Sequence, residues 1–426
     1  MRNSMRLMKP FSTAQFKLDS LRYEYVLEEV GPKRPKLLTH SHQKLHSSNI
    51  KEVFRYPQEV VAPYQTFSLV NQDGSCNVNE SELPSFNPDE WRELYTVMVR
   101  LKQMDEVFLA SQRQGRISFY MTSFGEEGIH VGSASALDPG DVVLAQYREA
   151  GVLLWRGAQV QELADQCFAN ASDTGKGRQM PMHFGSRRHN FLTISSPLTT
   201  QLPQAVGVGY ALKRSGANNL PIVYFGEGAA SEGDFHAGLN FAATLEVPMI
   251  FFCRNNGYAI STPARDQFRG DGIASRAYGY DMVAVRVDGN DVAAVHAATA
   301  EARRVALTER RPVLIEAMTY RLGHHSTSDD STHYRPVEEI EDAALLDPVT
   351  RTFNFLEARG WWDKQKDEQL RASERKAVLR ALETAEKREK PPVTELFSDV
   401  YKEKPAHLME QEEELRRHIQ NYPNDY

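Results

Sequence analysis

Between about residue 140 and residue 320 the chain alternates short apolar runs with stretches of helical periodicity, and few folds accommodate that order. The runs are DVVLAQ, LPIVYF, VPMIFFC and PVLIEAMTY, and between them lie LPQAVGVGYALKRSG and SEGDFHAGLNFAATLE. A run that is apolar at every position, and not at every second one, describes a strand covered on both faces. Strands of that kind joined through helices form a parallel sheet, because a parallel connection needs a crossover. The expected fold is therefore α/β: a doubly wound, mostly parallel sheet with helices on both faces, an irregular N-terminal extension and a helical C-terminal region. The small residues of AVGVGYALK are read as close helix packing.

The flanks set the boundaries at 1–85, 86–345 and 346–426. Residues 1–85 open with MRNSMRLMKPFSTAQFKL, where Arg2, Arg6, Lys9 and Lys17 precede the first acid, Asp19. That composition fits a mitochondrial targeting segment and a matrix location; a plain basic tail is the alternative. Prolines 32, 35, 57, 63 and 84 mark the rest of the extension as irregular. The globular pattern starts at NPDEWRELYTVMVRLKQMDEVFLASQRQG. Asn87 is placed to cap a helix, Pro88 suits its first position, and Gly115 stops it. Trp91, Leu94, Tyr95, Met98, Leu101 and Phe108 share one face. Beyond 345, DKQKDEQLRASERKAVLRALETAEKREKPP reads as solvated helix. A formal net charge of −7 argues against a nucleic-acid partner. No apolar run approaches the ~18 residues of a membrane span. The separated Cys76, Cys167 and Cys253 offer no disulfide framework.

One carboxylate stands where the chain leaves a buried strand. In IVYFGEGAASEGDF, Glu227 lies between Gly226 and Gly228, and Ser231 is expected to cap the next helix, which buries Phe235, Leu239 and Ala242. The strand after it ends in Arg254, Asn255 and Asn256. Glu227 and Asn256 are about 29 residues apart, close to one strand–helix–strand unit. Neighbouring parallel strands lie ~4.8 Å apart, so two such tips can share a ligand. A carboxylate, an amide oxygen and a backbone carbonyl are hard donors that suit Mg²⁺, and Glu227, Asn256 and the Tyr258 carbonyl are the expected ligands. GEGAASEG is not a P-loop, since no Lys-Ser/Thr follows, nor a dinucleotide fingerprint. Each motif alone is also a plain turn; together they point to a metal-bound diphosphate.

An acid between glycines followed by Asn-Asn is similar to the diphosphate signature of thiamin-diphosphate enzymes, with Glu in place of the usual Asp. Wider stretches resemble the α subunits of mitochondrial branched-chain 2-oxo acid dehydrogenases from about residue 85 to the C-terminus: SQRQGRISFYMTSFGEEG, QYREAGVLLWRG, GKGRQMPMHFG, TISSPLTTQLPQAVG and YRLGHHSTSDDSTHYRP. That resemblance implies thiamin diphosphate, Mg²⁺ and K⁺ as cofactors and oxidative decarboxylation of branched-chain 2-oxo acids. It places Gln146, Tyr147, Arg148, Ser196, Leu198, Gly226, Gly228, Ala229 and Arg254 at the cofactor, with Arg148 and Arg254 as lasting cations for the diphosphate. Ser195, Pro197, Thr200 and Gln201 match a potassium loop. His325 matches the active-site histidine, expected to titrate near neutrality. Arg321 and Asp329 are expected to brace its loop, and His324 to be structural. Ser326 matches an inhibitory phosphorylation site. Pro336 stands where relatives carry a second one, so a single control site is expected. Phe119, with Tyr147, matches the substrate pocket wall, although Phe119 reads almost equally well as core.

Only one diphosphate-binding domain is evident, so half of an active site is missing. The resemblance implies a β subunit in an α₂β₂ heterotetramer, a lipoyl-bearing acyltransferase core, and a regulatory kinase and phosphatase. Pyruvate as substrate and a silent, kinase-read scaffold are the rival readings; retention of Glu227, Asn256, both arginines and His325 counts against the second.

Overall fold

The computed structural model describes residues 63–424; the basic opening and most of the N-terminal extension lie outside them. In chain order the strands are β1 (Thr66–Phe67), β2 (Val142–Leu144), β3 (Phe191–Leu192), β4 (Pro221–Gly226), β5 (Met249–Asn255), β6 (Tyr258–Ala259), β7 (Thr262–Pro263), β8 (Val283–Asp288) and β9 (Pro312–Met318). Seven of them form one sheet in the order β1-β8-β9-β5-β4-β2-β3, with every pairing parallel. β6 and β7 make a separate antiparallel hairpin. The helices are α1 (Pro88–Arg113), α2 (Glu127–Ser135), α3 (Ala150–Trp155), α4 (Val160–Cys167), α5 (Gln201–Ser215), α6 (Gly233–Thr244), α7 (Ala264–Gln267), α8 (Val292–Glu309), α9 (Val337–Ala344), α10 (Pro348–Ala358), α11 (Lys364–Lys387) and α12 (Ala406–Asn421).

The apolar runs are strands with both faces covered, as their patterning requires. In β4, Ile222 and Tyr224 join a core shared with α1, α2, α3, α4 and α8, while Val223 and Phe225 join a second core under α5 and α6. Every residue of β5 is buried. Fully burying a side chain such as Phe251 contributes roughly 1.5–3 kcal/mol, and truncating it to alanine costs about 3–5 kcal/mol. No helix among the described residues is long and apolar enough to cross a membrane.

α1 begins as its sequence indicates. Asn87 Oδ1 accepts from the backbone N–H groups of Asp89 and Glu90 at 2.8 and 3.0 Å, and Glu90 reaches back to Asn87 N–H at 2.8 Å. The chain leaves this helix through Gly115 at φ +75°, a conformation open to glycine. The expected apolar face, Trp91 to Phe108, is buried. The start of α6 differs from expectation. Ser231 is not its cap; it closes a 3₁₀ turn, Ala229–Ser231, and Glu232 precedes the helix. The extra turn arises because Ser231 N–H and Glu232 N–H bond the carbonyls of Gly228 and Ala229, which wraps the backbone around the Glu227 turn. The mixed-sign C-terminal segment is also less solvated than its charge suggests. α11 buries Val378, Ala381, Leu382 and Ala385 along one stripe. It is tied to α1 by Arg100–Glu374 at 2.8 Å and by Tyr95 Oη donating to Asp367 at 2.6 Å.

Candidate active site

The tips of β2, β4 and β5 meet in one place. Gln146, Tyr147 and Arg148 follow β2, Glu227 follows β4, and Asn256 follows β5. Gly226 N–H donates to Gln146 Oε1 at 2.7 Å, which laces the first two tips together. The strand order reverses here: the chain steps from β2 out to β3, then returns to β4 on the other side of β2. Crevices at such reversals are where open parallel sheets bind ligands.

Glu227 is 2% exposed. Its Oε2 accepts from the Asn256 backbone N–H at 3.2 Å, and its Oε1 has no hydrogen-bond partner. Burial pushes its pKa up to about 7. A buried carboxylate with a bare oxygen is costly unless a cation completes it. Asn256 Oδ1 faces Tyr258 N–H at 3.3 Å. The Tyr258 carbonyl accepts from Arg321 at 3.3 Å and opens the β6–β7 hairpin. One carboxylate, one amide oxygen and one carbonyl fit a hard cation that keeps much of its shell for other oxygens. A Cβ on Gly228 would stand 2.3 Å from that of Ala259, so only glycine lets the hairpin approach. Ala229, next to it, is buried.

Both arginines arrive already paired. Arg254 donates to Glu149 and, at 2.6 Å, to Glu126, while its Nη2 has no partner. Burial opposes its charge, but Glu149 and Glu126 outweigh burial and hold its pKa above the usual value. Burial likewise opposes charge on Glu126, yet Arg254 and Arg148 bring it down to about 2. Arg148 donates to the Thr122 carbonyl at 2.7 Å, and to His325 through both the backbone carbonyl and Nδ1, the latter at 3.3 Å. Both guanidinium groups lie over the Tyr147 ring, at 5.4 and 5.9 Å from its centroid, and His325 meets that ring edge-on at 6.1 Å.

His325 departs from the near-neutral titration expected of it. Burial, then Arg148 and Arg321, push its pKa down to about 3. Arg148 can only donate, so Nδ1 accepts and the proton of the neutral ring sits on Nε2. Its loop is braced as expected. Asp329 accepts from His325 N–H at 2.8 Å and from Tyr334 Oη at 2.6 Å, and Arg321 donates to the Ile260 carbonyl and to Tyr334 at 2.7 and 2.9 Å. His324 is engaged with Ser331, whose backbone N–H it accepts at 3.0 Å. Ser326 is half-buried beside His325, and Pro336 precedes α9. Phe119 packs half-buried against the core, next to Tyr120, whose carbonyl accepts from Thr327 N–H in the same loop at 3.1 Å.

The loop before α5 stands apart from this knot. Gln201 Nε2 reaches the Tyr224 carbonyl of β4 at 3.0 Å, and Thr200 Oγ1 closes on the Pro197 carbonyl at 3.2 Å. Ser195 and Pro197 are exposed, Leu198 is 43% exposed, and Ser196 Oγ pairs with His183 Nε2 at 2.7 Å. No group of three or more His, Cys, Asp or Glu side chains among the described residues is arranged to hold a metal; the Glu227 set has a single carboxylate.

Residues 95–394 match the model of the dehydrogenase E1 component family. The chain belongs to that family. Within it, the chain is 55% identical over 368 residues to the 2-oxoisovalerate dehydrogenase subunit alpha, mitochondrial, of Macaca fascicularis, covering 86% of this chain and 82% of the relative. The proteins of the same name from Caenorhabditis elegans and Dictyostelium discoideum are 57% identical over 351 residues and 52% identical over 385. Those matches cover 82% and 89% of this chain, and 81% and 87% of the relatives.

Sequence reasoning passes over the acids and the histidine behind these strand tips. Glu126 and Glu149 hold the arginines, and His130 lies wholly buried with both ring nitrogens unpartnered. The traces are present: FGEEG puts two acids against an apolar helix, and Glu149 directly follows Arg148.

Proposed function

We propose that this chain is the α subunit of a mitochondrial branched-chain 2-oxo acid dehydrogenase, which decarboxylates its substrate oxidatively and passes the acyl group to a lipoyl group on an acyltransferase core. The observation that carries the reading is the buried Glu227 carboxylate between two strand tips, with one oxygen accepting from the Asn256 backbone N–H and the other left without a partner, in a member of the E1 family. Thiamin diphosphate, when bound, supplies the nucleophilic carbon and the electron sink for loss of CO₂. The chain's own part is to hold and surround it. Glu227, Asn256 and the Tyr258 carbonyl serve as Mg²⁺ ligands, and Gln146, Gly226, Gly228 and Ala229 let backbone and amide approach closely. Arg254 Nη2 and Arg148, with Tyr147 beneath them, form the cationic wall for the diphosphate. Ser195, Pro197, Thr200 and Gln201 supply oxygens for K⁺, and Ser196 and Leu198 line that side. Phe119 and Tyr147 give the apolar surface for a branched side chain. His325, neutral and with its proton on Nε2, can donate a hydrogen bond to phosphate or substrate oxygen without adding charge. The carboxylate opposite the cofactor ring comes from the β subunit, in an α₂β₂ assembly within the mitochondrial matrix.

The test co-expresses this chain with its β partner and assays 3-methyl-2-oxobutanoate against pyruvate with Mg²⁺ and thiamin diphosphate. The branched acid should be strongly preferred, and Glu227→Ala should abolish cofactor binding. Unchanged activity in that variant sinks the ligand assignment. Ser326 is the proposed single control site. A phosphate there places about −1.5 to −2 charges beside His325 and an already anionic site, repelling the incoming lipoyl arm. Kinase treatment and peptide mapping should find one phosphoserine in residues 321–336; two modified serines contradict this.

A further inference from the structure

We infer that Glu126 is a positioning residue that turns the Asn256 side chain so that its oxygen, and not its nitrogen, is offered to the divalent cation. The inference rests on the functional reading above. A side-chain amide has two ends of nearly equal size, of which one can coordinate a hard cation and the other cannot. Nothing in the stereochemistry of Asn256 itself chooses between them; its surroundings do. Asn256 Nδ2 donates to Glu126 Oε1 at 2.8 Å. With the amide reversed, its oxygen would face that carboxylate oxygen instead, two acceptors with no hydrogen between them. The opposite end is held loosely. Oδ1 meets the Tyr258 N–H at 3.3 Å, which leaves a lone pair for a cation.

Glu126 is fixed as a director must be. It is fully buried, Arg254 Nη1 holds its Oε2 at 2.6 Å, and Arg148 Nε lies 4.0 Å from its Oε1. One carboxylate thereby sets the orientation of the cation's amide ligand with one oxygen and the placement of a diphosphate-binding guanidinium with the other. It touches neither cation nor cofactor and acts through Asn256. Partners of metal ligands in this position typically change metal affinity by about 10–100-fold.

The test uses the assembled α₂β₂ complex with thiamin diphosphate and follows Mn²⁺ dissociation by electron paramagnetic resonance. Glu126→Gln removes the charge and keeps the size, and should weaken Mn²⁺ by about 10–100-fold. Asn256→Asp sets two carboxylates against each other and should lose at least as much. The double variant E126Q/N256D restores one negative charge to the pair with the hydrogen bond reversed, the introduced amide donating and the introduced carboxylate accepting. It should recover to within a few-fold of wild type. Additive losses in the double variant, or wild-type Mn²⁺ affinity in E126Q, overturn the inference, and a merely structural role would lower the metal-free thermal midpoint in parallel. Should the E126Q variant fail to assemble, Glu126→Asp, which withdraws the acceptor but keeps the charge, carries the same test: weaker Mn²⁺ supports the role and unchanged affinity overturns it. A wild-type complex that takes up no Mn²⁺ with thiamin diphosphate sinks the functional reading and the inference together.

Discussion

At the scale of single residues, this site is governed by ionisable groups removed from water. Arg254 and Glu126 stay charged because each faces opposite charge at hydrogen-bond distance. His130 has no such help. Burial pushes its pKa down to about 3, Glu126 opposing that shift and Arg254 and Arg148 adding to it. The consequence for stability has a definite sign. As pH falls below the ordinary histidine value near 6.5, the unfolded chain binds a proton there and the folded chain does not. Stability is therefore lost steadily from about pH 6.5 down to about pH 3, at up to about 1.4 kcal/mol per pH unit for one proton. His130→Gln should flatten the pH dependence of the urea midpoint between pH 6.5 and 5, because the replacement cannot be protonated. Identical slopes for the two proteins would show that the ring is not held neutral. His130 cannot be singled out from sequence, since a histidine on an apolar helix has nothing in its neighbours along the chain to reveal whether its nitrogens find partners.

Secondary elements bring these residues to the site, and here much is legible. The capping of α1 follows from Asn87, Pro88 and Glu90 alone, because capping is decided within four residues. Asn87→Ala should cost about 1 kcal/mol in chemical denaturation; no measurable loss would mean the cap is redundant. The start of α6 does not fall at Ser231, because a 3₁₀ turn, closed by bonds to Gly228 and Ala229, intervenes. That turn depends on what lies over it. Gly228 faces Ala259 at 2.3 Å for an added Cβ, whereas Gly226 has nothing nearer than 3.9 Å. In the cofactor-free protein, Gly226→Ala should leave the thermal midpoint almost unchanged. Gly228→Ala should lower it and shift the β6–β7 hairpin, taking the Tyr258 carbonyl with it. Calorimetry of the two variants side by side decides the matter, and equal midpoints would contradict the packing argument.

Across the whole molecule, the C-terminal segment reaches back to the loops that precede α5. Lys176 bonds Glu395 and Asp399 at 2.6 Å each, and Arg178 pairs with Asp399 at 3.2 Å. These pairs tie residues 395–399 to the loop that carries His183, the partner of Ser196. A single exposed pair contributes little, but linked charges act together. Reversing Glu395 and Asp399 to lysine should speed hydrogen exchange in residues 173–185 and 195–200 and leave β4 and β5 as they are; unchanged exchange in both loops would refute the link. Such a connection spans more than 200 positions and leaves no periodic trace. Patterning along the chain was enough to specify the parallel α/β sheet and the cap of α1 and to single out Glu227 and Asn256 as candidate ligands, because apolar periodicity and glycine-flanked strand ends are local consequences of backbone geometry; Arg254 and His325 became candidates through the resemblance to a known family. Which acids hold the arginines, that His325 stands neutral beside Arg148, and that Glu126 faces the Asn256 amide emerged only once the chain was folded. Those outcomes depend on charges brought together from distant segments, and their strength is set by the exclusion of water.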